Sequence, residues 1–529
     1  MGLFKDLLLG SAACAVLVTG AEGADLPTKK AAPVDYVKVC NVGGITGWTL
    51  PGSDTCVKFS GFITAQVAAG NLGAQYNWGG APAFSAIAAA TFPAAISTGT
   101  TPRLLVAASN AQQNTPFFRD SSGWSTRANF AVDMASNTAY GPLIGHFDFN
   151  ADTSNGFDAL QPFPINNAVY VNTAYLTWAG ITAGSAQSFF SFTAGGDNFA
   201  NFFSPDRKGY NEPLLLAYTA SFSGGFTATL SAESPGPVGF SGGGTQLTGA
   251  GGLNEGPVGA FNNGNITFGG QRWPDIVGSL HLKQGWGEAQ ISGVIHDVNV
   301  SADGFDNQTL CGPDFASACN GRETRVGWGV DAGVKVNLPS LGDGDDVILT
   351  GAFTQNATWY SGLPDGMWGE NGQVNGNGQP MYLADAFFNP VTNGWAKPTA
   401  WSVSTLIEHH FTPQFYIDLE GSIGGINWDN QGGCSGASVL SGLCALSSIG
   451  GPLSPHAFTW IAGADLGWNP MTNLNFDLEI MYQAVNQSAP SGALGTVYNF
   501  GQSNQVFVPG AWEGNSNGVA GRLRITRYF

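Results

Sequence analysis

Long stretches of this chain alternate between apolar and polar residues, and that period of two constrains the fold more than any other feature. From 324 to 338, Val326, Trp328, Val330, Ala332, Val334 and Val336 fall on one side, with Arg325, Asp331, Lys335 and Asn337 on the other. Leu474, Phe476, Leu478, Ile480 and Tyr482 oppose Asn475, Asp477, Glu479 and Gln483. Phe415, Ile417, Leu419 and Ile423 oppose Tyr416, Asp418, Glu420 and Ser422, while Val57, Phe59, Ile63 and Val67 oppose Lys58, Ser60, Thr64 and Gln66. Successive side chains of a strand point to opposite faces, so each run has one apolar and one polar face. The runs reach 12 to 15 residues, well beyond the roughly 5 to 6 usual in soluble sheets.

Sixteen strands are predicted, the first over 55–69, the fifth over 181–195 and the last over 517–529. Their connections alternate short and long. Tight turns are expected at Gly141-Pro142, Gly180, Gly224-Gly225, Gly285, Gly342-Asp343, Pro413 and Asn469-Pro470. Seven short turns and eight long loops suit an even-stranded barrel with both ends on one side. The expected fold is therefore all-β, a sixteen-stranded transmembrane antiparallel barrel over 55–529. Its turns would be periplasmic and its long loops extracellular, with lipid outside and water inside.

The start of the chain supplies an address. Lys5 precedes LLLGSAACAVLVT at 7–19, a run of 13 residues. That is too short to cross a membrane as a helix and suits the core of a secretory signal. Cleavage is expected after Gly23, giving a signal over 1–23 and a periplasmic segment over 24–54 ahead of the barrel. Loss of the signal removes Cys14 and leaves three close pairs: Cys40 with Cys56, Cys311 with Cys319, and Cys434 with Cys444. An even, locally paired set in an exported chain predicts three disulfides. A metal site would want CxxC spacing or neighbouring histidines, and none of these cysteines has either.

Charged residues are 11% of the chain, about half the roughly 25% of a typical globular protein. The net charge is −18, and the signal carries away Lys5, Asp6 and Glu22, a net −1, to leave −17. With no basic stripe to neutralise phosphates, nucleic acid is excluded as a partner.

Four stretches carry a family likeness. ADLPTKKAAPVDYVKVC from Ala24, PGSDTCVKFSGF at 51–62, QSFF at 187–190 and the terminal ITRYF resemble the general-diffusion porins of alphaproteobacteria, the rhizobial type. The likeness implies a homotrimeric outer-membrane barrel that passes small hydrophilic solutes and ions. It also implies that the third long loop folds inward, here 196–211, GDNFANFFSPDRKGYN, and that Phe529 is the end read by the barrel-assembly machinery. Two departures stand out. GFITAQ places Thr64 and Ala65 where the family often carries Arg, and the first long loop, about 70–123, is unusually long and Ala-rich.

By the alternation, Lys58 on the first strand, Arg127 on the second, and Arg522 and Arg524 on the last all face inward. Closure would join them into one basic arc, and Arg325 also faces inward. Asp197 and Asp206 on the third loop would oppose the arc, with Arg207 and Lys208 adding positive charge. Inward Asp331, Asp418, Asp477 and Glu479 make the lumen negative, so weak cation selectivity is expected. The competing reading is that any of these cations pairs with a carboxylate such as Asp133 and only braces the wall.

Catalysis is disfavoured, and no cofactor or metal is predicted. Glu408-His409-His410 is the most enzyme-like cluster, but a strand sends the two histidines to opposite faces, and no G-x-S-x-G motif accompanies any histidine. Asp343, Asp345 and Asp346 lack the Glu that closes a calcium loop. A passive channel leads, followed by a substrate-specific channel and then an adhesin. An actively gated transporter would need a plug domain, for which 24–54 is too short.

Overall fold

In the computed structural model of the chain, the described residues are 38–70, 122–156, 166–193, 212–234, 267–268, 272–301, 322–363, 385, 387–389, 394–428, 456–487, 494–499, 504–509 and 516–529. Sixteen strands form one ring. They are β1 (Cys56–Gly70), β2 (Ser122–Thr138), β3 (Gly141–Gly156), β4 (Asn166–Trp178), β5 (Ile181–Ser185), β6 (Leu214–Ser221), β7 (Phe226–Glu233) and β8 (Asp275–Gln284). The ring continues through β9 (Gly287–Ser301), β10 (Arg322–Asn337), β11 (Asp346–Gln355), β12 (Pro398–Thr412), β13 (Phe415–Trp428), β14 (His456–Met471), β15 (Leu474–Gln487) and β16 (Ser516–Tyr528). Each strand pairs antiparallel with its neighbours, and β16 returns to β1 from Ala520↔Gly70 to Tyr528↔Phe62. Closure leaves no open sheet edge between first and last strands.

The two faces separate as the alternation requires. Ile63, Val330, Leu349, Leu419, Leu466, Ile480 and Leu523 point outward and are exposed. Asp331, Asp418, Asp465, Asp477 and Glu479 point inward and are buried. A continuous belt of exposed aliphatic side chains around a closed ring is the surface that a bilayer, not water, accommodates. No helix among the described residues is long and apolar enough to cross a membrane.

Seven short turns lie at one end and the long connections at the other. Two turns fall a few residues away from their expected positions. The first is at 139–140, with Gly141 already starting β3 at φ +103°. The last is Thr472-Asn473, with Asn473 at φ +63°. Asn469 and Pro470 instead lie near the end of β14, at a register shift between Trp468 and Met471. Proline lacks a backbone N–H, and a shifted rung is where a sheet tolerates it.

The fifth strand also differs from the expected 181–195. It leaves the wall after Ser185, and 186–193 turn into the lumen.

Ahead of β1, Val39–Val42 and Ile45–Thr49 form a hairpin. Trp48 and Thr49 pair with Val57 and Cys56 at the lower end of β1. Cys40 and Cys56 are joined by a disulfide across 16 residues. Cys311, Cys319, Cys434 and Cys444 lie outside the described residues, as do the signal region, the Ala-rich loop and 196–211.

Candidate functional site in the barrel lumen

Cross-strand register decides which inward charges become neighbours. Asp346 on β11 stands opposite Glu408 on β12, which stands opposite Asp418 on β13. Asp418 is opposite Asp465 on β14, which is opposite Glu479 on β15, and Glu479 meets Arg522 on β16. Five carboxylates thus occupy one row, and four inter-strand steps of about 4.8 Å make it about 19 Å long. Like charges directly opposite one another repel, and a cation closes each end. The Lys335 Nζ lies 2.8 Å from Asp346 Oδ2, while Arg522 holds the rung beside Glu479.

The row was only partly visible beforehand. Inward Asp418 and Glu479 follow from alternation alone, whereas their alignment with Asp346, Glu408 and Asp465 depends on register between strands far apart in sequence.

Beyond Arg522 the sign of the wall changes. The inward faces of β16, β1 and β2 carry Arg522, Arg524, Lys58 and Arg127. Arg524 Nε donates to Gln66 Oε1 at 2.9 Å. Lys58 is exposed and lies across the rung from Asp133, whose carboxylate is 2.6 Å from His146 Nδ1. Arg127 makes a two-pronged pair with Asp152 of β3, Nε to Oδ1 at 2.7 Å and Nη2 to Oδ2 at 2.9 Å. Its Nη2 also donates to the Tyr170 hydroxyl at 2.9 Å. Arg127 is therefore braced by Asp152, a carboxylate that sequence reading did not single out. Arg325 lies half-buried on the inner face of β10. Asp197, Asp206 and Arg207 fall outside the described residues.

Two segments fold from the wall into this charged interior. In 186–193, the Ser188 hydroxyl donates to Glu233 Oε2 at 2.6 Å and the Phe189 N–H to Glu233 Oε1 at 3.1 Å. The Phe190 carbonyl accepts from the Ser292 hydroxyl at 2.6 Å and from Gln290 Nε2 at 3.2 Å. Phe192 fills the space over Gly333 of β10, where a Cβ would sit 2.3 Å from its ring. The second segment, 356–363, follows β11. Phe190 and Tyr360 meet edge to face at 4.9 Å and bury against Val277, Val294 and Ala357.

The Glu408-His409-His410 cluster resolves structurally. The histidines do leave β12 on opposite faces, yet both approach Asp345, because the turn before β11 folds over the strand end. His409 Nδ1 is 2.6 Å from Asp345 Oδ2, and the His410 backbone N–H donates to Oδ1 at 2.8 Å. The His410 N–H, with His409 after it, holds the Asp345 carboxyl below the usual carboxylate range. Among the described residues no group of His, Cys, Asp and Glu has metal-binding geometry.

The family model described as the porin subfamily matches residues 25–514. The chain belongs to the porin family. Porin Omp2b of Brucella neotomae is 25% identical over 425 residues, covering 79% of this chain and 91% of its own length. Porin Omp2b of Brucella suis is 24% identical over 435 residues, covering 79% and 90%. Among solved structures, the outer membrane channel DcaP of Acinetobacter baumannii aligns at 12% identity with a TM-score of 0.49, over 91% of this chain and 99% of that one. This porin is an outer-membrane channel.

Proposed function

We propose that this porin is a passive, water-filled pore for small hydrophilic solutes and ions, with a weak preference for cations. The observation that carries this reading is the inner wall itself, where a carboxylate row on β11–β15 adjoins a shorter basic arc on β16–β2. Charged rings in a pore set ion preference through local potential rather than net charge. Neutral solutes would then pass by size, and a transverse field between the walls would disfavour apolar ones.

The assembled form proposed is a homotrimer in outer-membrane lipid, reached after export with residues 1–23 removed and after insertion by the assembly machinery. Purified protein in a planar bilayer should give stepwise conductance that rises linearly with dilute salt. Absence of steps from protein that runs as a folded, heat-modifiable trimer would overturn the channel reading. A saturating, solute-blocked conductance would point instead to a substrate-specific channel.

A further inference from the structure

His296 on β9 stands where the second inward segment meets the wall. Its Nδ1 lies 2.8 Å from both carboxylate oxygens of Asp275 on β8, and its Nε2 lies 3.1 Å from Asp385 Oδ2. Asp385 in turn accepts the Thr358 N–H at 2.6 Å and the Thr358 hydroxyl at 3.0 Å, and its carbonyl accepts Asn356 Nδ2 at 2.8 Å. Tyr360 donates its hydroxyl to Asp275 Oδ2 at 2.6 Å. All of these side chains are buried. At its far end the segment reaches β12 and β13. The Ser402 hydroxyl donates to the Ser361 carbonyl, and Leu363 fills the space over Gly424.

The proton count at His296 is set by its partners. An ionised carboxylate only accepts hydrogen bonds, and a neutral imidazole has a single N–H. Two carboxylates can be satisfied through both ring nitrogens only by an imidazolium. The other charged groups around it are few. Glu233 of β7 stands on the rung beside Asp275, and Asp297 of β9, paired with Arg272, sends its N–H toward Asp275. Opposite His296, β10 places Gly327, with Arg325 one inward position away.

We propose that 356–363 together with Asp385 forms a second constricting element of the pore, clasped to the wall by His296 as an imidazolium. Deprotonation of His296 removes the N–H that reaches Asp385. The clasp therefore holds while the ring carries both N–H groups and loosens when one is lost. His296 acts here as a positioning residue.

This inference rests on the channel reading. The test is single-channel conductance of the full-length wild type and of His296→Gln and Asp385→Asn, from acid to alkaline pH. Heat-modifiability serves as the check of folding. Wild type should step upward in conductance as the pH rises and His296 gives up its second N–H. His296→Gln should show the higher conductance throughout with no step, and Asp385→Asn should move the step to lower pH, since one stabilising carboxylate is gone. A wild type that conducts without any step, or a step unmoved in Asp385→Asn, overturns the clasp while leaving the channel standing. A wild type that does not conduct overturns the channel reading instead. If neither variant folds, ¹⁵N shifts of the wild-type His296 ring decide: two protonated nitrogens at neutral pH are expected, and a neutral tautomer overturns the proposal.

Discussion

Arg127 shows how much a single rung can change the meaning of a side chain. Its direction was legible from alternation, but its partner was not, because Asp152 comes into register only when β2 and β3 pair. Replacing Arg127 and Arg524 together by glutamine should raise cation selectivity, read as a reversal potential in a salt gradient. Loss of Arg127 also frees the Asp152 carboxylate, so the shift should exceed that from Arg524→Gln alone. A reversal potential that does not move would remove both residues from the conducting path. Asp345 makes a different prediction, because its carboxyl is held below the ordinary value by the His410 N–H and by His409. A carboxyl with a depressed folded value stabilises the fold above the unfolded value, about 3.9, and loses that contribution as the pH falls through the folded one. Asp345→Asn should therefore unfold at a lower temperature than wild type at pH 7, and the two should converge in strong acid.

At the level of elements, the sixteen strands could be located because a period of two repeats over lengths that few other structures share. The departure at Ser185 was not located, although the period of two lapses at Gln187-Ser188 and Phe189-Phe190 once the chain has left the wall. What redirects it is distant in sequence: Glu233, Gln290 and Ser292 capture the polar atoms of 188–190, and Gly333 leaves room for Phe192. Gly333→Val should therefore displace the inward segment at a cost of about 1–3 kcal/mol, widening the pore with little loss of folded yield. Unchanged conductance in that variant would mean that 186–193 does not narrow the path. The last strand carries its own test. Phe529 exchanges backbone hydrogen bonds with Gly61 in both directions, Phe529 N–H to Gly61 carbonyl at 3.0 Å and the reverse at 3.2 Å. Deleting Phe529 should lower the amount of folded, heat-modifiable barrel while leaving export intact, and an unchanged yield would count against its role as the assembly end.

For the whole molecule, the charge of −17 expected after export says less than the way charge is distributed around the ring. Exposed loop charges are screened over about 8–10 Å at physiological salt and about 3 Å at 1 M. The row from Asp346 to Glu479, buried except for the half-buried Glu408, is screened much less. Cation preference should fall as salt rises but level off above zero, as measured by reversal potentials at fixed concentration ratio. Complete loss of preference at high salt would assign it to the loops instead.

The amino-terminal hairpin has a consequence for how the ring finds its alignment. β16 stops beside Gly61, and the rungs of β1 below that point meet Trp48 and Thr49 instead. The Cys40–Cys56 bond fixes those rungs with residues only 16 apart in sequence, without any contribution from β16. A slip of β16 by one two-residue step toward the lower end would drive Tyr528 and Phe529 toward Trp48, whose ring already packs against Phe59 at 6.0 Å. The hairpin is thus a mechanical stop at the lower end of the seam: the last strand cannot dock below Gly61 without displacing it.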